Sequence, residues 1–279
     1  MINKIKLNYT ALTKKERIIA DYYLQHPNKI ISMNIHDMAG QLNVSSASIT
    51  RFCHDILNMT FADSKIELAK SLPHVEQKTS NEMLKWATNY SDVPDRLVAS
   101  INEVLNSVMA INDVEDLEKC VSLISKCRMV YFFGVGNSGI VAQDFQQKLS
   151  KLGIVSTYII DGSFGLLNSS NCGKEDLAIF ISYTGKTISV LEAMRNVKRS
   201  GAKIISITSN SKNKMRSMAD IPLLIPSVEN STRLSAILSR YCELFITDTI
   251  FIGLAKKVTD DPEKMIQDYS RILSIIKEK

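Results

Sequence analysis

No histidine follows His74. All four in the chain (His26, His36, His54 and His74) fall in its first quarter. The remaining three quarters therefore work without a local imidazole as acid, base or metal ligand. Cysteine is sparse: Cys53, Cys120, Cys127, Cys172 and Cys242 are odd in number, and none forms C-x-x-C. That pattern excludes the disulfide frameworks of small secreted domains, argues against zinc, and fits reduced, mostly buried thiols. No apolar run approaches the ~20 residues of a membrane-spanning helix. Met1-Ile2-Asn3-Lys4 lacks the apolar stretch of a secretory signal, so a cytoplasmic protein is expected. The single tryptophan, Trp86, is expected to pack locally. Neither sign of charge dominates. The formal net charge is +5, and residues up to Lys78 hold ten basic against seven acidic side chains. Such an excess points only weakly to nucleic acid.

What is present is a globular composition, 45% hydrophobic and 23% charged, over 279 residues. That length accommodates two domains. The first part reads as short helices. Thr13-Lys-Lys-Glu16 is a capping box, with Ile18, Ile19 and Tyr22 on an apolar face up to Gln25 and Pro27 as a stop. A second helix spans Asn34 to Leu42. Gln41 to Val44 makes a tight turn in which Asn43 can go left-handed. Ser45 then caps a third helix, Ser46 to Leu57, whose Ile49, Phe52, Cys53 and Ile56 form one core face. A fourth runs from Phe61 to Leu72 and ends at Pro73. Two helices joined by a short turn make a helix-turn-helix pattern. If it binds DNA, the third helix enters the major groove, and Ser45, Ser46, Ser48, Thr50, Arg51 and His54 face the duplex. A compact bundle with a solvated polar face is the alternative.

Residues 74–90 are polar with little period, and the linker is placed at 78–92. Helical spacing covers Val93 to Ser125. Strand and helix then alternate, with strands at Met129–Phe133, Val155–Ile160, Leu177–Ile181, Lys203–Thr208 and Ile221–Ile225. Helices follow from Gly139 to Lys151, Thr187 to Ser200, Met215 to Ala219, Leu234 to Lys257 and Pro262 to Ile276, and Asp161-Gly-Ser-Phe164 reads as a loop. Alternation of this kind implies an α/β, doubly wound parallel sheet, with ligands beyond the carboxyl ends of its strands.

Two loops stand at such ends: G-V-G-N-S-G (134–139) and S-Y-T-G-K-T (182–187). The first has the G-x-G-x-x-G spacing, which on its own is weak evidence for a dinucleotide site. The second copies the tail of a Walker A loop, but Phe180 occupies the place of its first glycine. Four hydroxyls at two such ends favour capture of a phosphate, with Ser138, Ser182, Thr184 and Thr187 donating alongside the amides around Gly185. Taken singly, Ser138 and Thr187 can instead cap their helices.

These motifs carry a resemblance. G-V-G-N-S (134–138), I-S-Y-T-G-K-T (181–187) and R-S-G-A-K-I-I-S-I-T (199–208) resemble the sugar isomerase (SIS) domain of phosphosugar isomerases and phosphosugar-sensing regulators. T-K-K-E-R-I-I-A-D-Y-Y-L and V-S-S-A-S-I-T-R-F-C resemble the helix-turn-helix of RpiR-type transcriptional regulators. Thr184 replaces the family's common Ser, and Lys186 its common acidic residue. The resemblance implies an all-α helix-turn-helix domain at 1–77, followed by a doubly wound SIS domain with flanking helices at 93–279. It further implies a homodimer or homotetramer that binds operator DNA and a small phosphosugar, with no cofactor, metal or membrane. The expected phosphosugar contacts are Gly136, Asn137, Ser138, Ser182, Tyr183, Thr184, Gly185, Thr187 and Glu229.

Three functions are open. One is a regulator of sugar-metabolism genes under phosphosugar control. The second is an aldose–ketose isomerase using Glu229, or secondarily Glu243, as base. The third is a phosphosugar-binding adaptor whose helical domain contacts protein.

Overall fold

A computed structural model describes residues 12–71, 88–228 and 236–259, with isolated positions before and after them. The chain forms two units: Met1–His74 with Met109–Asp113, and Val75–Val108 with Val114–Lys279. Trp86 and most of the expected helix Pro262 to Ile276 lie outside the described residues.

In the first unit, α1 (Lys14–Gln25) starts at the expected capping box. Thr13 accepts from the Glu16 amide, and Glu16 accepts from the Thr13 amide. Pro27 does more than stop this helix, because it opens α2 (Pro27–Ser32). A proline at the first helical position has no donor to waste and is already set at a helical φ. In α3 (Ile35–Leu42), Asn34 accepts from the amides of His36 and Asp37, both at 2.9 Å. Asn43 is left-handed (φ 52°), and the Val44 amide returns to the Ala39 carbonyl at 3.0 Å. That closes the helix and turns the chain sharply.

Ser45 caps α4 (Ser46–Phe52) by accepting from the Ser48 amide. The helix does not continue as α to Leu57. Cys53–Leu57 form a π turn. The extra residue shifts the core face, so Ile49, Phe52 and Cys53 are buried as expected but Leu57 is buried in place of the half-exposed Ile56. With α5 (Phe61–Ser71), these helices enclose an apolar core that includes Ile19, Tyr23, Met38, Ile49, Phe52 and Leu68. Inside it the Tyr23 hydroxyl meets Ser64 Oγ at 2.7 Å and Cys53 Sγ at 3.3 Å, so the buried hydroxyls are satisfied.

The second unit holds α6 (Val93–Ile111) up to Val108, and α7 (Val114–Ile124). Then follow β1 (Val130–Phe133), α8 (Asn137–Lys151), β2 (Ser156–Tyr158), α9 (Gly162–Asn168), β3 (Leu177–Ile181) and α10 (Ile188–Ser200). Completing it are β4 (Lys203–Ser209), α11 (Lys214–Met218), β5 (Ile221–Ile225) and α12 (Ile237–Val258). The sheet is parallel, in the order β2-β1-β3-β4-β5. Its central strands β1 and β3 are buried along their whole length, which is why they are written as unbroken apolar runs. The β2 strand is an edge and shorter than expected: Val155 and Ile160 are exposed beyond its ends.

The segment Asp161–Phe164 is a helix start, not a loop. Asp161 accepts from the amides of Ser163 and Phe164. Helices cover both faces. Phe145, Leu149, Leu238, Cys242 and Ile246 pack on one face. Val190, Met194, Val197 and Met215 pack on the other. Among the cysteines, Cys53, Cys120, Cys172 and Cys242 are buried. Burial pushes the Cys120 and Cys172 thiols up to about 12. Such thiols are poor nucleophiles and poor metal ligands at neutral pH.

Candidate functional site

The strand order reverses at β1. From there the chain goes to β2 on one side, and β3 lies on the other. The helices that leave β1 and β3, α8 and α10, accordingly pack on opposite faces of the sheet. A crevice opens where they part, and this is where doubly wound sheets hold ligands. Phe133 pairs with Phe180, so the loop at Gly134–Asn137 lies next to the turn at Ser182–Thr187. The two loops singled out in the sequence therefore stand side by side at the switch point.

The second loop is a closed turn. The Ser182 amide still pairs with β4, through the Ile207 carbonyl at 3.0 Å. The Gly185 amide returns to the Ser182 carbonyl at 3.1 Å. Gly185 has φ +59°, and a Cβ there would stand 2.3 Å from Asn213 Oδ1 and 2.9 Å from Thr208 Oγ1. Asn213 cannot easily yield. Its amide nitrogen donates to Thr208 Oγ1 and to the carbonyls of Ser209 and Ser211, and its oxygen accepts from the Arg216 amide, capping α11. The turn rests on a braced wall.

The hydroxyls are placed unequally. Ser182 is buried, and its Oγ lies 3.2 Å from Thr187 Oγ1. Thr187 holds the position before α10 but makes no capping bond. Its hydroxyl thus faces Ser182 instead of its own helix, leaving the first-turn amides of α10 without a side-chain cap. Thr184 is exposed and accepts from the Lys186 amide at 3.2 Å. Tyr183 does not present its ring: the side chain belongs to the apolar core. Only its backbone is available at the turn.

In the first loop, Gly136 takes the position before α8 with φ +63°, a conformation that side chains rarely adopt. Asn137 opens the helix, and Ser138 lies inside its first turn without capping it. The Ser138 hydroxyl donates to Glu243 Oε1 at 2.9 Å. Glu243 comes from α12, 105 residues further on, and is 1% exposed. A hydroxyl has one proton, so Ser138 gives it to the carboxylate or to a bound anion, not to both. Beside these, Tyr158 on β2 donates to the Gly134 carbonyl at 3.1 Å and holds the loop from the far side. Glu229 lies outside the described residues.

Glu243, Asn213 and Tyr158 carry the site without belonging to its motifs. The capping role of Asn213 has a local signature, an Asn before a short helix, but its brace against Gly185 has none. Among the described residues no group of three or more His, Cys, Asp or Glu could hold a metal ion. Nor is any described helix long and apolar enough to cross a membrane.

In the first unit, Ser45, Ser46, Ser48, Thr50, Arg51 and His54 all avoid full burial, and Ser45, Thr50, Arg51 and His54 are exposed. Thr50 donates back to the Ser46 carbonyl at 3.0 Å, and Ser46 Oγ lies 3.3 Å from His36 Nδ1. Ser45 and Ser48 hydroxyls meet at 2.9 Å. Arg51 has no ion pair among the described residues, whereas His54 stands 2.9 Å from Asp55. The cationic end of this face is therefore Arg51, and a carboxylate offsets His54.

Known proteins match both units. Residues 1–74 match the helix-turn-helix domain of the rpiR family, and residues 123–252 match the SIS domain. An HTH-type transcriptional regulator of Caldanaerobacter subterraneus subsp. tengcongensis is 31% identical over 271 residues, covering 96% of this chain and 95% of that one. The HTH-type regulator YbbH of Bacillus subtilis is 33% identical over 253 residues, covering 88% and 86%. Among solved structures, the Vibrio vulnificus NanR protein complexed with ManNAc-6P superposes with a TM-score of 0.62 at 20% identity, covering 99% of this chain and 98% of that one. The chain belongs to the RpiR family of helix-turn-helix transcriptional regulators, with an SIS domain as its second part.

Proposed function

We propose that this regulator binds a phosphosugar between the loops 134–138 and 182–187, and that the ligand sets its affinity for operator DNA. The observation that carries the reading is the meeting of two hydroxyl-bearing turns, free of histidine, at the switch point of the sheet. Ser182, Thr187 and the uncapped start of α10 converge on one small volume. Hydroxyls, amides and a helix N-terminus suit a dianion. The sugar phosphate in the NanR complex, on the same fold, supports this class of ligand. Gly136, Asn137, Ser138, Thr184, Gly185 and the backbone at Tyr183 complete the set, with Glu229 as an acceptor for sugar hydroxyls.

The DNA-binding part is residues 1–77, the linker 78–92 and the effector-binding part 93–279. A homodimer or homotetramer in the cytoplasm presents two α4 helices one DNA turn apart, ~34 Å. Ligand alters operator affinity by binding two quaternary states unequally.

A thermal-shift panel of sugar phosphates tests the assignment. Cognate ligand is expected to raise Tm by mass action, by an amount that grows with concentration. A panel with no responder speaks against a phosphosugar. Following the responding aldose phosphate by NMR then tests turnover. No ketose is expected, because Glu243, the described candidate base, is buried and engaged by Ser138; sustained conversion would establish the isomerase instead.

DNA reading is tested at Arg51. On a duplex selected by the wild-type protein, Arg51→Ala is expected to weaken binding by about 1–3 kcal/mol in a gel shift. Unchanged affinity removes Arg51 from the reading set. Binding that ignores salt would favour the protein-contacting adaptor, since phosphate contacts release counterions.

A further inference from the structure

The proposed hydroxyl cradle assigns no role to the side chain of Lys186. That side chain lines a groove beside the Gly185 turn, together with Glu192, Arg195, Lys212, Asn213 and Lys214. The basic residues come from the turn itself, α10, the connection after β4 and the first residue of α11. One carboxylate, Glu192, shares the groove, and it is bonded to Arg195. Lys186, Lys212 and Lys214 are exposed and have no ion pair among the described residues. An ordinary solvated face intersperses both signs; here three ammonium groups of one sign border a concave surface whose one acid among the described lining residues is already taken. Their fields add in the groove and favour an anion.

The placement is not loose. Lys212 and Lys214 flank Asn213, the side chain tied to Thr208, Ser209, Ser211 and the Arg216 amide. Their backbone is therefore fixed against the same wall that supports Gly185. The cradle and the groove share that glycine.

We propose that the groove bordered by Lys186, Lys212 and Lys214 is a second anion site, taking a phosphate or carboxylate group. Two sources fit this chemistry: the distal acidic group of a doubly anionic effector, or a separate inorganic anion. The first source rests on the phosphosugar reading above; the groove itself does not.

Equilibrium dialysis of radiolabelled inorganic phosphate against the full chain, at low ionic strength so that screening is weak, counts the sites. Wild type is expected to bind two phosphates per chain, Lys212→Ala/Lys214→Ala one, and Ser182→Ala/Thr184→Ala one. If the lysine variant keeps the wild-type stoichiometry and affinity, or if wild type binds no phosphate that the lysines influence, the groove is not an anion site. If the lysine variant loses one phosphate while the Ser182/Thr184 variant loses none, the groove stands and the cradle reading fails. Competition separates the sources. Displacement of both phosphates by fructose 1,6-bisphosphate but one by fructose 6-phosphate assigns the groove to the effector. A bisphosphate that displaces no more than the monophosphate assigns it to a separate anion.

Discussion

Gly185→Ala is expected to abolish phosphosugar binding and, in the same stroke, to lower the stability of the ligand-free protein. The backbone term comes first: a left-handed residue with a Cβ costs about 1–2 kcal/mol. The steric term comes on top. The new methyl would lie 2.3 Å from Asn213 Oδ1, so the Asn213 side chain has to leave. Its departure uncaps α11, which costs about 1 kcal/mol. The sum, about 2–3 kcal/mol, is on the order of 4–12 °C in Tm for a domain of this size. Calorimetry of the apo variant reads that loss, and repeating the scan with the responding sugar phosphate reads the binding. A variant that still gains the wild-type increment from ligand would place the phosphate away from this turn.

Ser182→Ala/Thr184→Ala separates binding from stability. Ser182 contributes one neutral contact in the free protein, to Thr187 at 3.2 Å, and Thr184 accepts one amide bond at the surface. The apo Tm is therefore expected to move little. Each hydroxyl directed at a charged group is worth about 1.5–3 kcal/mol, so losing both weakens the ligand by about 3–6 kcal/mol, or roughly two to four orders of magnitude. Isothermal titration beside the apo melting curve measures the two separately. A double variant that melts normally and binds normally would mean that backbone amides, not hydroxyls, hold the anion. The Gly185 variant would still bind poorly in that case, which makes the pair of experiments decisive together.

The parts of this molecule that are legible in the chain are those whose cause is local. A buried parallel strand must be apolar on both faces, so β1 and β3 stand out as Val130–Phe133 and Leu177–Ile181. A capping box is written in four residues, and Thr13 to Glu16 behaves accordingly. The turn at Ser182–Thr187 is visible for the same reason: a strand, a glycine and hydroxyls in immediate succession. At two places a local signal points both ways. Pro27 stops one helix, yet the first position of the next welcomes proline, and that second role decides the structure. Asp161-Gly-Ser-Phe has the composition of a loop, yet Asp161 is a good cap and starts α9.

Other features have no local cause. Glu243 reaches Ser138 across 105 residues, and Asn213 meets Gly185 only because β4 lies beside β3. Spacing within a segment carries no trace of such meetings. The Ser138 hydroxyl changes meaning through one of them. Read alone, it is a phosphate donor or a helix cap. With Glu243 in place, it is a proton already committed, and a ligand has to compete for it.

The π turn at Cys53–Leu57 sets a rule for swapping specificity between members of this family. Residues Ser46–Phe52 form a regular helix, so they can be exchanged as a cassette with any relative and keep their aim. A cassette that runs on through His54 crosses the extra residue. Placed in a partner whose helix is α throughout, everything after the crossing is rotated by about 100°, one residue's worth of helical phase. Chimeras with the junction before Cys53 should inherit the donor's operator preference, whereas those joined inside the turn should read neither parent's site.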